Sequence, residues 1–286
     1  MVSWGMAFRT LISTAALARH LEDPSYVVVD CRAKLDDLEW GRREHAAAHL
    51  PGAVYADLTH DLSGPKTGTN GRHPLPDPAA LVTTFGRLGI TSGRQVVAYD
   101  QENGMFASRL WWLLRWLGHD AVAVLDGGFK TWTAEGRATA SGAAHRAPAV
   151  FTGSPRAEMT VDVQTVAAHL GAGGPRLVDA RAPERYRGET EPIDKLPGHI
   201  PGAKNHFFQW NLDEQGLFRT PEELRAKMAT TVGDVPPDQI VCYCGSGVTA
   251  CHNLLAFEHA GLKGAKLYAG SWSEWSADPS RPVEMG

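Results

Sequence analysis

Gln239-Ile240-Val241-Cys242-Tyr243-Cys244-Gly245-Ser246-Gly247-Val248-Thr249 sets an unbroken apolar run directly against a cysteine and a glycine-rich turn. A short apolar run bounded by a turn signal reads as a strand buried on both faces. Beyond the turn, Val248, Cys251, Leu254 and Leu255 recur at three and four residues, the spacing of a helical stripe, and Gly261 punctuates its end. Ala265-Lys266-Leu267-Tyr268 then starts another short strand. Strand, helix, strand predicts an α/β sheet paired in parallel by right-handed crossover, with helices on both faces. In such sheets chemistry sits beyond the C-terminal ends of strands, and Cys244 is the residue directly after this one.

The same order appears earlier in the chain. Gln95-Val96-Val97-Ala98-Tyr99-Asp100 matches Gln239 to Cys244, and a helical stripe follows over Met105 to Leu117. Val27-Val28-Val29-Asp30-Cys31-Arg32 resembles Leu177-Val178-Asp179-Ala180-Arg181, each run ending in Asp-x-Arg. His49-Leu50-Pro51-Gly52-Ala53 matches His199-Ile200-Pro201-Gly202-Ala203. Leu125-Asp126-Gly127-Gly128 with Trp132 matches Tyr268-Ala269-Gly270-Ser271 with Trp275. Four landmarks recurring in order predict two homologous domains, 1–140 and 158–286. The Ala-, Gly-, Ser- and Pro-rich stretch 141–157 reads as the linker between them.

Composition narrows the function classes. The 286 residues carry 28 Lys plus Arg against 32 Asp plus Glu, a net charge of −4, which argues against nucleic acid or an anionic membrane surface as partner. The most apolar stretch, Leu110 to Leu117, contains Arg115 and is far shorter than the roughly 20 residues of a membrane-spanning helix. MVSWGMAFRT lacks a charged stretch followed by an apolar run and a cleavage site, so a cytoplasmic location with reduced thiols is expected. Four cysteines in this length are no disulfide framework.

Three of those cysteines crowd together, but they are not equivalent. Cys242 lies inside the strand and Cys251 on the apolar stripe, where cysteine ordinarily serves as an inert small apolar residue; Cys31 reads the same way. Cys244 opens a loop whose glycines permit unusual backbone angles and whose amides, with the following helix N-terminus, form an anion cradle. Such a setting stabilises a thiolate, which attacks electrophilic sulfur while the cradle holds an anion. Ser246 and Thr249 add hydroxyl donors. A C-x-C pair lacks the spacing of zinc ligands and of a thioredoxin-type redox motif, so no metal or other cofactor is expected. A phosphatase loop would place an arginine six positions after the cysteine, where Ala250 stands.

These motifs together resemble the tandem-domain rhodaneses, a sulfurtransferase family, over about residues 8 to 283. The resemblance implies an α/β fold of two tandem rhodanese-like domains, each a parallel sheet with helices on both faces. It implies an inactive first copy, consistent with Asp100 at the cysteine position. It implies a ping-pong cycle in which Cys244 takes sulfane sulfur as a persulfide and passes it to a thiol acceptor such as thioredoxin, or to cyanide. The loop Cys244-Gly245-Ser246-Gly247-Val248-Thr249 resembles that of the 3-mercaptopyruvate enzymes rather than the basic loop of the thiosulfate enzymes of animals, and its charge suits a monoanionic small-molecule donor.

The resemblance also assigns further residues. Ser246 is matched with a histidine at His73, while the aspartate that accompanies them in the family falls at Thr59, between Asp57 and Asp61. Arg185 matches the first of two arginines that hold the donor, alongside loop residues Gly245, Gly247, Val248 and Thr249. The second arginine falls at Ile193, with Arg187 and Lys195 on the same loop as candidate replacements. Asp30, Arg32, Asp179 and Arg181 read as buried ion pairs, His49 and His199 as turn residues, and Trp272 and Trp275 as either site rim or core. The readings left standing are a 3-mercaptopyruvate sulfurtransferase, a thiosulfate sulfurtransferase of the same mechanism, a non-catalytic rhodanese-like module, and a redox-sensing thiol.

Overall fold

Val96-Val97-Ala98-Tyr99 and Ile240-Val241-Cys242-Tyr243 each occupy the middle of a five-stranded, wholly parallel sheet. The computed structural model describes residues 7–171 and 173–286; Met1 to Met6, part of the N-terminal stretch read above for a leader pattern, lie outside the described residues. The first sheet contains β1 (Leu11–Ile12), β2 (Tyr26–Asp30), β3 (Val54–Tyr55), β4 (Gln95–Tyr99) and β5 (Val122–Leu125), in the order β1-β5-β4-β2-β3. The second contains β6 (Thr160–Val161), β7 (Arg176–Asp179), β8 (Lys204–Asn205), β9 (Ile240–Tyr243) and β10 (Lys266–Tyr268), in the order β6-β10-β9-β7-β8. The two orders are identical, as repetition of the sequence landmarks predicts.

The chain divides into two compact units. One holds the residues up to Leu62 together with Pro76–Pro155; the other holds Arg156–Gly286 together with Ser63–Leu75, although that short segment lies in the first copy's stretch of sequence. Among the described residues no helix is long and apolar enough to cross a membrane.

Each central strand is apolar because helices cover both sheet faces, leaving no side for polar residues. Val96, Val97, Ala98, Tyr99 and Ile240, Val241, Cys242, Tyr243 are all buried. In the second unit Val166, Leu177, Ile200, Val241, Tyr268, Trp272 and Trp275 form one core cluster. Trp272 and Trp275 thus belong to the core rather than a rim; their indole N–H groups donate to the carbonyls of Leu196 and Pro282, both at 2.9 Å.

The repeated motifs prove to be joints of the fold. Asp179 ends β7, and Arg181 folds back on it, donating from its amide at 2.9 Å and from Nη2 at 2.7 Å; Asp30 and Arg32 repeat this at 3.0 and 2.7 Å. Burial alone would lower the Arg181 pKa, but the adjoining Asp179 carboxylate raises it instead. Arg181 lies 4.8 Å over the Trp272 ring, and Arg32 lies 4.2 Å over Phe129, the matching position. In the His-x-Pro-Gly-Ala turns, Leu50 and Ile200 donate their amides to the hydroxyls of Tyr99 and Tyr243, tying each turn to its central strand. His49 and His199 bond the carbonyls of His45 and Tyr186, each at 2.7 Å.

The topology fixes where a site can lie. From β7 the chain crosses to β8 on one side, and from β9 it crosses to β10 on the other. Neighbouring strands whose connections diverge leave a crevice at their C-terminal ends. Cys244 follows β9 at that point.

Candidate active site

The Cys244 loop is pinned to the sheet end by the turn after β10. Cys244 donates its amide to Ser271 Oγ at 3.1 Å, and its carbonyl accepts from the Trp272 amide at 2.9 Å. The Gly245 carbonyl accepts from the Ser273 amide, also at 2.9 Å. Among the described residues Ser271 is the only non-glycine with left-handed backbone, at φ 55°. Its hydroxyl explains why that conformation persists, since it bonds both Cys244 N and the Tyr268 carbonyl. In the first unit Gly128 takes this position at φ 58°, and Phe129 and Lys130 make the two equivalent backbone bonds to Asp100 and Gln101.

Within the loop, Gly247 donates its amide to Cys244 Sγ at 3.1 Å. Gly247 has φ 78°, and a methyl group on its Cα would lie 2.4 Å from the Ala269 carbonyl oxygen, so no other residue fits without moving backbone. Val248 closes the loop, and Thr249 begins the helix Thr249–His259. Cys244, Ser246 and Val248 are buried and Thr249 half-buried.

The first unit shows what this loop architecture holds. The Asp100 carboxylate sits where the cysteine would and accepts from the amides of Glu102, Gly104, Phe106 and Ala107 at 2.8 to 3.2 Å. Burial raises its pKa, and those four amides oppose the rise. That cradle is filled by its own carboxyl group, and no cysteine stands at its base.

The segment Ser63–Leu75 contributes to the second unit's site. His73, itself buried, places Nδ1 2.8 Å from Ser246 Oγ. Its neighbour Arg72 is anchored by its amide to Ser273 Oγ at 3.0 Å and forms an ion pair with Asp194. Arg185, on the turn of helix Pro183–Tyr186, bonds Glu191 at 2.7 Å and Asp194 at 3.2 Å. Both guanidinium groups reach Gly245: a methyl group on its Cα would lie 2.8 Å from Arg72 Nη2 and 3.6 Å from Arg185 Nη1. Burial opposes ionisation of Glu191, yet the Arg185 bond and the amides of Ile193 and Asp194 hold its pKa below the ordinary value. Arg181 also reaches Glu191, at 3.2 Å.

The structure therefore brings together Cys244, Gly245, Ser246, Gly247, Val248, Thr249, His73 and Arg185. The proposed replacements for the second arginine, Arg187 and Lys195, both lie exposed. Arg187 pairs with Glu189 at 2.7 Å, and Ile193 is exposed as well. Asp57 and Asp61, flanking Thr59, are engaged in their own turn. Asp57 accepts from the amides of Thr59 and His60, while Asp61 accepts from the Asp57 amide and pairs with Arg87. Cys31, Cys242 and Cys251 are buried in the sheet and helix layers. Among the described residues no three His, Cys, Asp or Glu side chains are placed to share a metal ion.

Arg72, Asp194, Glu191 and Ser271 belong to the site and were not singled out from sequence. Arg72 carried one signal, its position beside His73. Ser271 carried another, since it stands where the first copy has Gly128.

Comparison with known proteins agrees with this geometry. The family model described as "Rhodanese-like domain" matches twice, at residues 13–135 and 162–278. A Pseudomonas aeruginosa protein named "Probable 3-mercaptopyruvate sulfurtransferase" is 48% identical over 283 residues, covering 98% of this chain and 100% of its own. The thiosulfate sulfurtransferase of Cricetulus griseus is 34% identical, covering 98% of this chain and 96% of its own. The solved structure of 3-mercaptopyruvate sulfurtransferase from Leishmania major superposes with a TM-score of 0.83 at 32% identity, covering 94% of this chain and 74% of that one. With both sheets in one strand order, both copies matched, and similarity running nearly end to end, the chain belongs to the rhodanese family.

Proposed function

We propose that Cys244 is the nucleophile of this sulfurtransferase and that its preferred donor is 3-mercaptopyruvate. The observation that carries this reading is the Ser246–His73 hydrogen bond at 2.8 Å, on the same loop as a cysteine sulfur that accepts an amide hydrogen bond. A loop with its own cations would suit a dianion such as thiosulfate; this loop's own side chains are a neutral hydroxyl bonded to a histidine, and the two guanidinium groups beside Gly245 are already paired with Glu191 and Asp194.

The chemistry balances without a cofactor. The Cys244 thiolate attacks the donor's thiol sulfur and an S–S bond forms. The C–S bond breaks, and its electron pair moves onto carbon as the enolate of pyruvate. One proton then converts the enolate to pyruvate, and the Ser246–His73 pair supplies a path for it. The persulfide on Cys244 is released when an acceptor, a thiol such as that of thioredoxin or cyanide, attacks the outer sulfur. Four buried cysteine thiols suit a reducing compartment, which is the cytoplasm in this reading.

Steady-state rates with the two donors, measured side by side with a common acceptor, test the donor. We expect kcat/KM for 3-mercaptopyruvate to exceed that for thiosulfate by about tenfold or more, a difference of roughly 1.4 kcal/mol in transition-state binding. A larger value for thiosulfate would overturn the donor assignment and leave the sulfur-transfer chemistry standing.

A further inference from the structure

We infer that Arg72 is the second guanidinium of an anion subsite over the Cys244 loop, and that Asp194 is a resident carboxylate whose place the carboxylate of a short 2-oxo acid takes. The identity of the donor class rests on the proposed function; the anion subsite itself does not.

The geometry is specific. Arg72 turns Nη1 to Asp194 and Nη2 toward Gly245. Arg185 bonds Glu191 and Asp194 through Nη2, and both of its terminal nitrogens lie at a similar distance from the Gly245 side, 3.6 and 3.7 Å from a methyl group placed there. With no side chain at 245 the Arg72 guanidinium can approach the loop closely; a methyl group there would lie 2.8 Å from Nη2 and push that side-chain end aside. Two guanidinium groups beside Gly245, the residue after the nucleophile, suit the planar fork of a carboxylate.

The carboxylates have different parts. Glu191 is held by Arg185 Nε and Nη2, by Arg181 and by two backbone amides, so it is fixed scaffold. Asp194 is held by the two arginines that face the loop. Burial raises the Asp194 pKa even though Arg72 and Arg185 oppose the rise. A donor carboxylate bonding the same two guanidinium groups replaces like with like. The exposed Ile193, by contrast, offers no charge from the position where the resemblance places a second arginine.

Alkylation of Cys244 reads this subsite without any sulfur donor. Iodoacetate and iodoacetamide differ in charge but not in leaving group. The ratio of their rates at Cys244, followed by mass spectrometry on the full-length protein, therefore reports anion attraction. Arg72→Gln is expected to lower the iodoacetate-to-iodoacetamide ratio by about tenfold, the scale of one charge-assisted hydrogen bond. Asp194→Asn is expected to raise the ratio by roughly threefold, because it removes a competing charge. Arg72→Lys, which keeps the charge and loses the fork, should fall between Arg72→Gln and the wild type. In steady state Arg72→Gln should raise KM for 3-mercaptopyruvate by about tenfold while kcat changes by less than about threefold.

An alkylation ratio within twofold of wild type in both Arg72 variants overturns the inference. So does a fall in the ratio for Asp194→Asn, which would make Asp194 merely structural. If the ratios move as expected but 3-mercaptopyruvate is not turned over, the subsite stands and the donor assignment fails.

Discussion

Replacing Cys244 by serine is expected to abolish sulfur transfer, lowering kcat/KM by at least about a thousandfold with either donor. A serine hydroxyl is not appreciably ionised at neutral pH and cannot form a persulfide. The rest of the site should survive the change. Gly247 N keeps an oxygen acceptor in place of sulfur, and the bonds from Cys244 N to Ser271 and from Trp272 N to the Cys244 carbonyl are unaffected. We therefore expect the melting temperature to stay within about 3 °C of wild type, as befits a change worth under about 1 kcal/mol. Steady-state assays and calorimetry on one preparation check both halves. Transfer near the wild-type rate in a folded Cys244→Ser protein would contradict the assignment.

The second large effect concerns stability. Arg181→Met should destabilise the second unit by about 3–5 kcal/mol, the cost of leaving buried charges without their partner. Asp179, fully buried, loses the bonds from Arg181 Nε and Nη2; the Gly198 carbonyl loses its donor, and Glu191 loses a contact at 3.2 Å. Against a typical total of about 5–15 kcal/mol this is a large share, and a fall in melting temperature of roughly 10 °C follows. Activity should fall as well at temperatures where the protein remains folded, because Glu191 is also the carboxylate that orients Arg185. Calorimetry together with donor KM measures the two consequences. A shift of less than about 2 °C would show that methionine packing on Trp272 compensates for the lost pair.

The parts of this molecule legible in sequence are those governed by local rules. A strand buried on both faces is apolar along its centre, so Ile240 to Tyr243 and Val96 to Tyr99 announce themselves, and the glycine-rich turn after β9 marks the strand end. Repetition then doubles each observation: Asp-x-Arg, His-x-Pro-Gly-Ala and the turn before Trp132 and Trp275 each serve the same joint in both units. The placing of Arg72 was not legible, because it depends on the segment Ser63–Leu75 joining the second unit rather than the copy in which it is written. No composition or periodicity signals that exchange. His73 is legible only through the family resemblance, and nothing in the local sequence of Arg72 sets it above Arg187 and Lys195, which are nearer Arg185 in the chain. Proximity along the chain misled there, since Arg187 turns to Glu189 at the surface. The tryptophans of the last turn were open between rim and core for a related reason: aromatic residues serve both, and only the Arg181 guanidinium stacked on Trp272 fixes that ring within the core.

In the proposed cycle sulfur rests covalently on Cys244 between the two half-reactions. Intact-protein mass spectrometry after brief exposure to 3-mercaptopyruvate, with no acceptor present, tests it most directly. A species heavier by about 32 Da, one persulfide sulfur, is expected, mapped by peptide analysis to Cys244, lost on adding cyanide and absent from Cys244→Ser. Turnover of the donor with no added mass on Cys244, or the same added mass in Cys244→Ser, would contradict it.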